Sequence, residues 1–249
     1  MKKIFIFLVL AIQLIAGMIK TPLVTLDNNN SIVTINADAI DVGMSGFIVQ
    51  QVAQKHTTIL KSAVVLSFDK KSKIATLKLS DYMEGINRAL PVGSWSVKVG
   101  DMAILGFGYR RALLIAPNEE IYYRISKNVK IQWVHPDIFA SILSLNGHPT
   151  PLKEDFDDMI ENSAIGIIFI YLEQKLYTID AKSFVILHIS DAPLEQKSVM
   201  LPFYSRVQDI EANWWGEGSN KLENYESYYY KLLEKYNPKN KNLKLKDNK

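Results

Sequence analysis

Five acidic residues crowd the stretch EDFDDMIE: Glu154, Asp155, Asp157, Asp158 and Glu161. Paired carboxylates can do acid–base chemistry when burial keeps one of them protonated beside an ionised partner. Their spacing here wraps them around a short amphipathic helix, some in its first turn, where the helix dipole favours negative charge. A solvated face is the better reading.

The other reactive residue types are scattered. None of His56, His135, His148 and His188 stands at a metal-ligand spacing from another. His135 and His148 sit beside prolines, near expected helix ends, which predicts capping or packing. The chain has no cysteine, so thiolate metal sites and cysteine nucleophiles are excluded. Ser45 in GMSGF has Gly43 two residues earlier but Phe47 where a nucleophile elbow requires its second glycine. GFGYRR, with Gly106, Gly108 and Arg111, resembles a dinucleotide loop without its third glycine. Such a loop must open a helix, and ALLIAP follows instead, so a strand with glycines for close backbone approach or a bulge is expected. These residues predict no enzyme, no cofactor and no metal.

What remains is binding chemistry. Trp214-Trp215 and the run Tyr228–Tyr230 could form a ligand platform, but such residues more often staple a terminal helix to a domain, because each buries a large apolar area. The chain closes with NPKNKNLKLKDNK, which holds five lysines: Lys239, Lys241, Lys244, Lys246 and Lys249. The plain reading is a solubilising tail. The other is a ligand for something that recognises lysine.

The elements that must carry these residues fall into four stretches. Residues 1–17 read as a signal peptide: Lys2 and Lys3, an apolar run from Ile4 to about Ile15, then Ala16 and Gly17. Cleavage is expected, with an uncleaved anchor as the alternative; a cleaved chain has no transmembrane span. Residues 21–133 read as a β-rich domain, a small barrel or sandwich. SIVTI follows the turn DNNN, and ILKSAVVLSF and IATLKL flank the hairpin loop DKKSK. WSVKV alternates as a half-buried strand, MAILGF and ALLIA continue as strands, and EIYYRI follows as another. Residues 134–216 read as an α+β unit. Its first helix carries Ile138, Ile142 and Leu145, and its second Leu152, Phe156, Met159 and Ile160. The strands AIGIIFIYL, KLYTID and SFVILHIS follow, with Glu173-Gln174 turning the first pair. Residues 217–249 hold an amphipathic helix from Asn220 to Tyr236 and the lysine-rich tail. Asn220 with Glu223 resembles a capping box, and Leu222, Tyr225, Tyr229, Leu232 and Tyr236 form one stripe. The fold class expected is mixed α+β.

Charge limits the partners. The formal net charge is +3. Loss of Lys2 and Lys3 leaves +1, and the stretch from Asn237 carries +4, so the exported body is about −3. An acidic body with a basic tail is not the charge pattern of a nucleic-acid binder.

Two stretches carry a resemblance: LPVGSWSVKVGDMAILGFGYRRALLIAPN and WVHPDIFASILSLNGHPTPLKEDF. Both resemble the amino-terminal domain of the plasminogen-binding surface proteins of epsilon-class bacteria, from about Thr21 to about Gly216. The resemblance implies an exported protein of the periplasm or outer cell surface that binds host plasminogen and has no enzyme activity of its own. In that family binding is attributed to lysine, above all a terminal lysine held by a kringle domain. This points to Lys249, with Lys246 and Lys244 beside it. Longer members carry a long charged extension after the shared domain; here the Tyr-rich helix and the lysine-rich stretch follow it. The alternative is a periplasmic structural or assembly module that engages another envelope protein through its β-rich domain or its Tyr-striped helix.

Overall fold

The structure is a computed structural model. It describes residues 17–27, 29, 31–53, 56–82, 95–207, 209–240 and 243. The expected signal segment, apart from Gly17, lies outside the described residues. Among the described residues, no helix is long and apolar enough to cross a membrane.

Six strands form a closed barrel: β1 (Ile19–Leu26), β2 (Ile32–Asn36), β3 (Ser45–Ala53), β4 (His56–Asp69), β5 (Ile74–Asp81) and β6 (Met102–Leu105). Their order is β1-β2-β5-β4-β3-β6, and the pairing of Ile19 with Leu105 closes the ring. Every pairing is antiparallel. Closure removes the free strand edges an open sheet would leave. The expected turns are built by carboxylates. Asp27 accepts from the backbone N–H groups of Ser31 and Ile32 at 2.7 and 2.9 Å. Asp69 accepts from Lys71 N–H and Ser72 Oγ at 2.9 and 2.7 Å. Val33, Ile35, Ile48, Val65 and Leu77 fill the barrel.

A second sheet of order β11-β10-β9-β7-β8 begins after the barrel. Its strands are β7 (Arg111–Ile115), β8 (Gln132–Val134), β9 (Ile167–Leu172), β10 (Lys175–Asp180) and β11 (Ile186–Asp191). β7 runs parallel to both β8 and β9, so the connections between them must cross over, and helices do this. These are α1 (Glu119–Asn128), α2 (Pro136–Asn146) and α3 (Lys153–Ser163). β9 to β11 form antiparallel hairpins. Glu173 and Gln174, at φ 44° and 62°, turn the first of them, as primed hairpin turns require. All six residues of β9 are buried. Its odd positions, Ile167, Phe169 and Tyr171, join the barrel core and α1. Its even positions, Ile168, Ile170 and Leu172, face α2, α3 and the terminal helix α4 (Tyr225–Tyr236). The period of two thus serves two cores.

Several expectations are corrected. EIYYRI is not a strand; it forms most of α1. Asn118 caps the helix by accepting from Ile121 N–H at 2.9 Å, and Glu119 and Glu120 occupy the first turn. Cap and dipole outweigh the strand propensity of two tyrosines and two isoleucines. Trp95–Lys98 has no strand structure; Val97 is buried while Trp95 and Val99 are exposed. Gly100, at φ 93°, bends the chain there, and Asp101 accepts from Lys98 N–H at 2.7 Å. In α2 the buried face is Phe139, Ile142 and Leu143, and Ile138 and Leu145 are exposed. Helix α4 starts at Tyr225 rather than at Asn220, because Asn224 is the residue that accepts from Ser227 N–H.

Candidate functional site

The stripe of α4 is closed against the body. Tyr225, Tyr229 and Leu232 are 2%, 0% and 9% exposed, within the monomer. The Tyr225 hydroxyl lies 3.1 Å from Ile115 O and 3.0 Å from Tyr171 O, both in the second sheet. Tyr229 OH donates to Pro202 O at 3.1 Å, and Tyr228 OH to Pro151 O. Burial pushes the pKa of all three phenols up. These tyrosines are staples, and the envelope-partner reading loses one of its two surfaces, the Tyr-striped helix.

Beyond the helix the chain is still held. Asn237 donates to Leu233 O at 2.8 Å and Phe184 O at 3.1 Å, and accepts from Ile186 N–H at 2.8 Å. Leu243 is 4% exposed and packs in the same core. Lys239 is exposed. Lys244, Lys246 and Lys249, the residues singled out for partner contact, lie outside the described residues, as does Lys241.

The tryptophans behave in the opposite way. Trp214 and Trp215 are 98% and 83% exposed. Their loop is fastened at both feet: Asn213 donates to Gly147 O at 2.9 Å and Asn146 O at 2.7 Å, and Thr150 N–H donates to Gly218 O at 3.1 Å. The expectation that they staple a helix is corrected. They stand exposed on a loop that Asn213 fastens to the end of α2.

The acidic cluster divides. Asp155 is fully buried, not solvated. It accepts from Leu152 N–H at 2.6 Å and Asn146 Nδ2 at 2.8 Å, and His148 Nδ1 lies 2.8 Å away. It therefore braces the loop between α2 and α3. Asp157 pairs with Lys153. His148 packs in this network, and His135 caps α2 by accepting from Asp137 N–H at 3.2 Å. Among the described residues, no three histidine, aspartate or glutamate side chains are grouped to hold a metal.

Ser45 has a carboxylate partner that its sequence context could not reveal. Its Oγ and N–H donate to Asp180 Oδ2 at 2.7 and 2.8 Å, and Tyr109 OH donates to the same oxygen at 2.6 Å. Asp180 Oδ1 accepts from Ser183 N–H at 2.7 Å. Asp180 is 0% exposed and ties β10 to β3. Burial and the Asp180 carboxylate raise the Tyr109 pKa far above that of a free phenol. GFGYRR is neither a phosphate loop nor a strand. It is a turn, with Gly106 and Gly108 at φ 68° and 86°, that leads from barrel to sheet. Gly108 packs so tightly on Gly166 that a Cβ on the latter would lie 2.5 Å from the Gly108 carbonyl carbon.

A cavity of about 380 Å³ lies between residues 200–210 and Leu222, with Met200, Leu201, Pro202 and Phe203 in its wall. Arg206 stands at its rim, where Asp137 holds it at 2.7 Å. The MLPF run, outside any helix or strand, is the sequence signal for this wall.

A closed barrel joined to a helix-covered mixed sheet, with its buried polar groups bonded mainly at its own junctions, defines the architecture as a mixed α+β module. The chain belongs to the family described as plasminogen-binding protein pgbA N-terminal, whose model matches residues 18–233. The plasminogen-binding protein PgbA of Helicobacter pylori strain ATCC 700392 / 26695 is 28% identical over 222 residues, covering 84% of this chain and 46% of that protein. The protein of the same name from strain J99 / ATCC 700824 matches to the same extent. The chain thus spans about half the length of the curated relatives it matches. No solved structure matches it. The family match ends before the lysine-rich tail.

Proposed function

We propose that this protein is an exported, non-enzymatic binding protein for host plasminogen, and that Lys249, with Lys246 and Lys244, makes the contact. The observation that carries the reading is membership, across most of the chain, of a family whose relatives are named for plasminogen. The lysines follow Leu243, the last described residue, which is seated in the core. A kringle domain holds a lysine ammonium with paired carboxylates and a chain-terminal carboxylate with cations, and aromatic walls cover the methylenes; such charge-assisted contacts are the strong ones. An internal lysine lacks the second charge. Export to the periplasm or cell surface rests on the leader-like first seventeen residues.

Surface plasmon resonance on immobilised plasminogen tests this with three variants. Deletion of Lys249 is expected to weaken binding strongly, and the Lys244→Ala, Lys246→Ala pair only mildly. A chain ending at Leu243 is expected not to bind. Full binding by that truncated chain would move the activity onto the body and overturn the assignment. Free lysine analogue competes, and moderate salt weakens binding, because exposed charges are screened over about 8 Å.

A further inference from the structure

Glu226 stands in the first turn of α4 with one carboxylate oxygen, Oε2, buried and without a hydrogen-bond partner. Its surroundings are acidic or neutral. The Glu173 backbone N–H and the Gln196 side-chain amide favour its charged form, while the Glu173 carboxylate repels it from the β9–β10 turn. Tyr171 of β9, Tyr177 of β10 and Tyr225 of α4 also face it. The Glu173 carboxylate is itself tied to α4, since Tyr230 OH donates to it at 3.3 Å. Neither carboxylate has a salt bridge among the described residues.

An unpartnered buried carboxylate oxygen costs far more when the group is charged than when it is neutral. Two carboxylates facing each other across one contact cannot both ionise freely. The amino end of α4 favours negative charge, but burial outweighs it: desolvation pushes the Glu226 pKa up to about 7, with Glu173 adding to the rise.

We propose that α4 is latched to the second sheet by a proton on Glu226, and that ionisation of this residue opens the latch. The open form uncovers Tyr225, Tyr229 and Leu232, the stripe that the closed form hides. In the open form the carboxyl returns to its ordinary value of 4.5. The closed form is therefore most favoured below 4.5, weakens as pH rises towards about 7, and loses no more above that. Opening is local, since α4 is a terminal element.

Amide hydrogen exchange on the full chain tests the latch, with rates corrected for the intrinsic pH dependence of exchange. Opening of α4 is expected to rise about tenfold between about pH 6 and pH 8.5 in the parent, because one pH unit is a factor of ten in protonation. Glu226→Gln, a permanent neutral mimic, should show no rise. Glu173→Gln leaves Glu226 itself in place and should show a smaller rise than the parent, since the repelling charge is gone. A flat parent profile overturns the proposal, as does a full rise in Glu226→Gln. Should Glu226→Gln fail to fold, a Glu173→Gln profile identical to the parent's overturns it.

Discussion

Asp180 Oδ2 on β10 accepts a hydrogen bond from the Ser45 hydroxyl on β3 at 2.7 Å, across 135 residues of chain. With Tyr109 and Ser183 also donating to it, this one carboxylate joins the barrel to the second sheet. Asp180→Ala leaves these donors unpaired and is expected to cost about 3 kcal/mol. Tyr109→Phe removes one charge-assisted bond and should cost about 1.5 kcal/mol. Urea denaturation measures both. If Asp180→Ala matches the parent's stability, the junction is held by packing alone.

Gly166 and Gly100 make a controlled pair. A Cβ on Gly166 would collide with the backbone of Gly108 and Tyr109, whereas Gly100 meets open space but sits at φ 93°. Gly166→Ala should therefore cost about 2 kcal/mol through overpacking, and Gly100→Ala about 1 kcal/mol through backbone strain alone. Thermal melting of the two variants settles the order; a larger loss at Gly100 would contradict the close-approach account of the barrel-to-sheet turn.

Tyr229 is fully buried and contacts Tyr225 and Tyr228 at ring centroid distances of 4.8 and 5.2 Å. Tyr229→Ala should cost about 4 kcal/mol and make α4 the first site of proteolytic cleavage. Limited proteolysis followed by mass spectrometry reads this directly. Trp215→Ala, at an exposed position, should leave the cleavage pattern unchanged.

His135 titrates in the opposite sense to Glu226. Burial lowers its pKa from 6.5, although Asp137 pulls the other way. Its neutral ring is the form that caps α2, so its contribution is whole above about 6.5 and declines as pH falls through the lowered value. His135→Asn keeps a capping acceptor and removes the titration. The parent should lose more melting temperature than this variant between neutral and mildly acidic pH; equal losses would remove His135 from the acid response.

Local order was legible where periodicity and turn chemistry agreed. The hairpins around DNNN, DKKSK and Glu173-Gln174 follow from residues that favour turns between alternating strands. The α4 stripe was visible because its tyrosines recur at helical spacing. EIYYRI was misread because its side chains suit a strand, and only the Asn118 cap with two glutamates argues otherwise. Long-range chemistry left no trace. Nothing near Ser45 marks Asp180, and nothing in EDFDDMIE separates the buried Asp155 from its solvated neighbours, since its partners Asn146 and His148 lie at the end of α2 and just beyond it. The same aromatic composition took opposite fates in Trp214-Trp215 and Tyr228–Tyr230, and only the element beneath each decided which.

The seating of Leu243 in the core sets a tether length. Lys249 follows it by six residues, which even fully extended span no more than about 20 Å. A kringle-sized body gripping Lys249 would therefore come to rest close to where Leu243 enters the body. The proposed ligand is a short leash, and whatever holds its end also meets the body at its base.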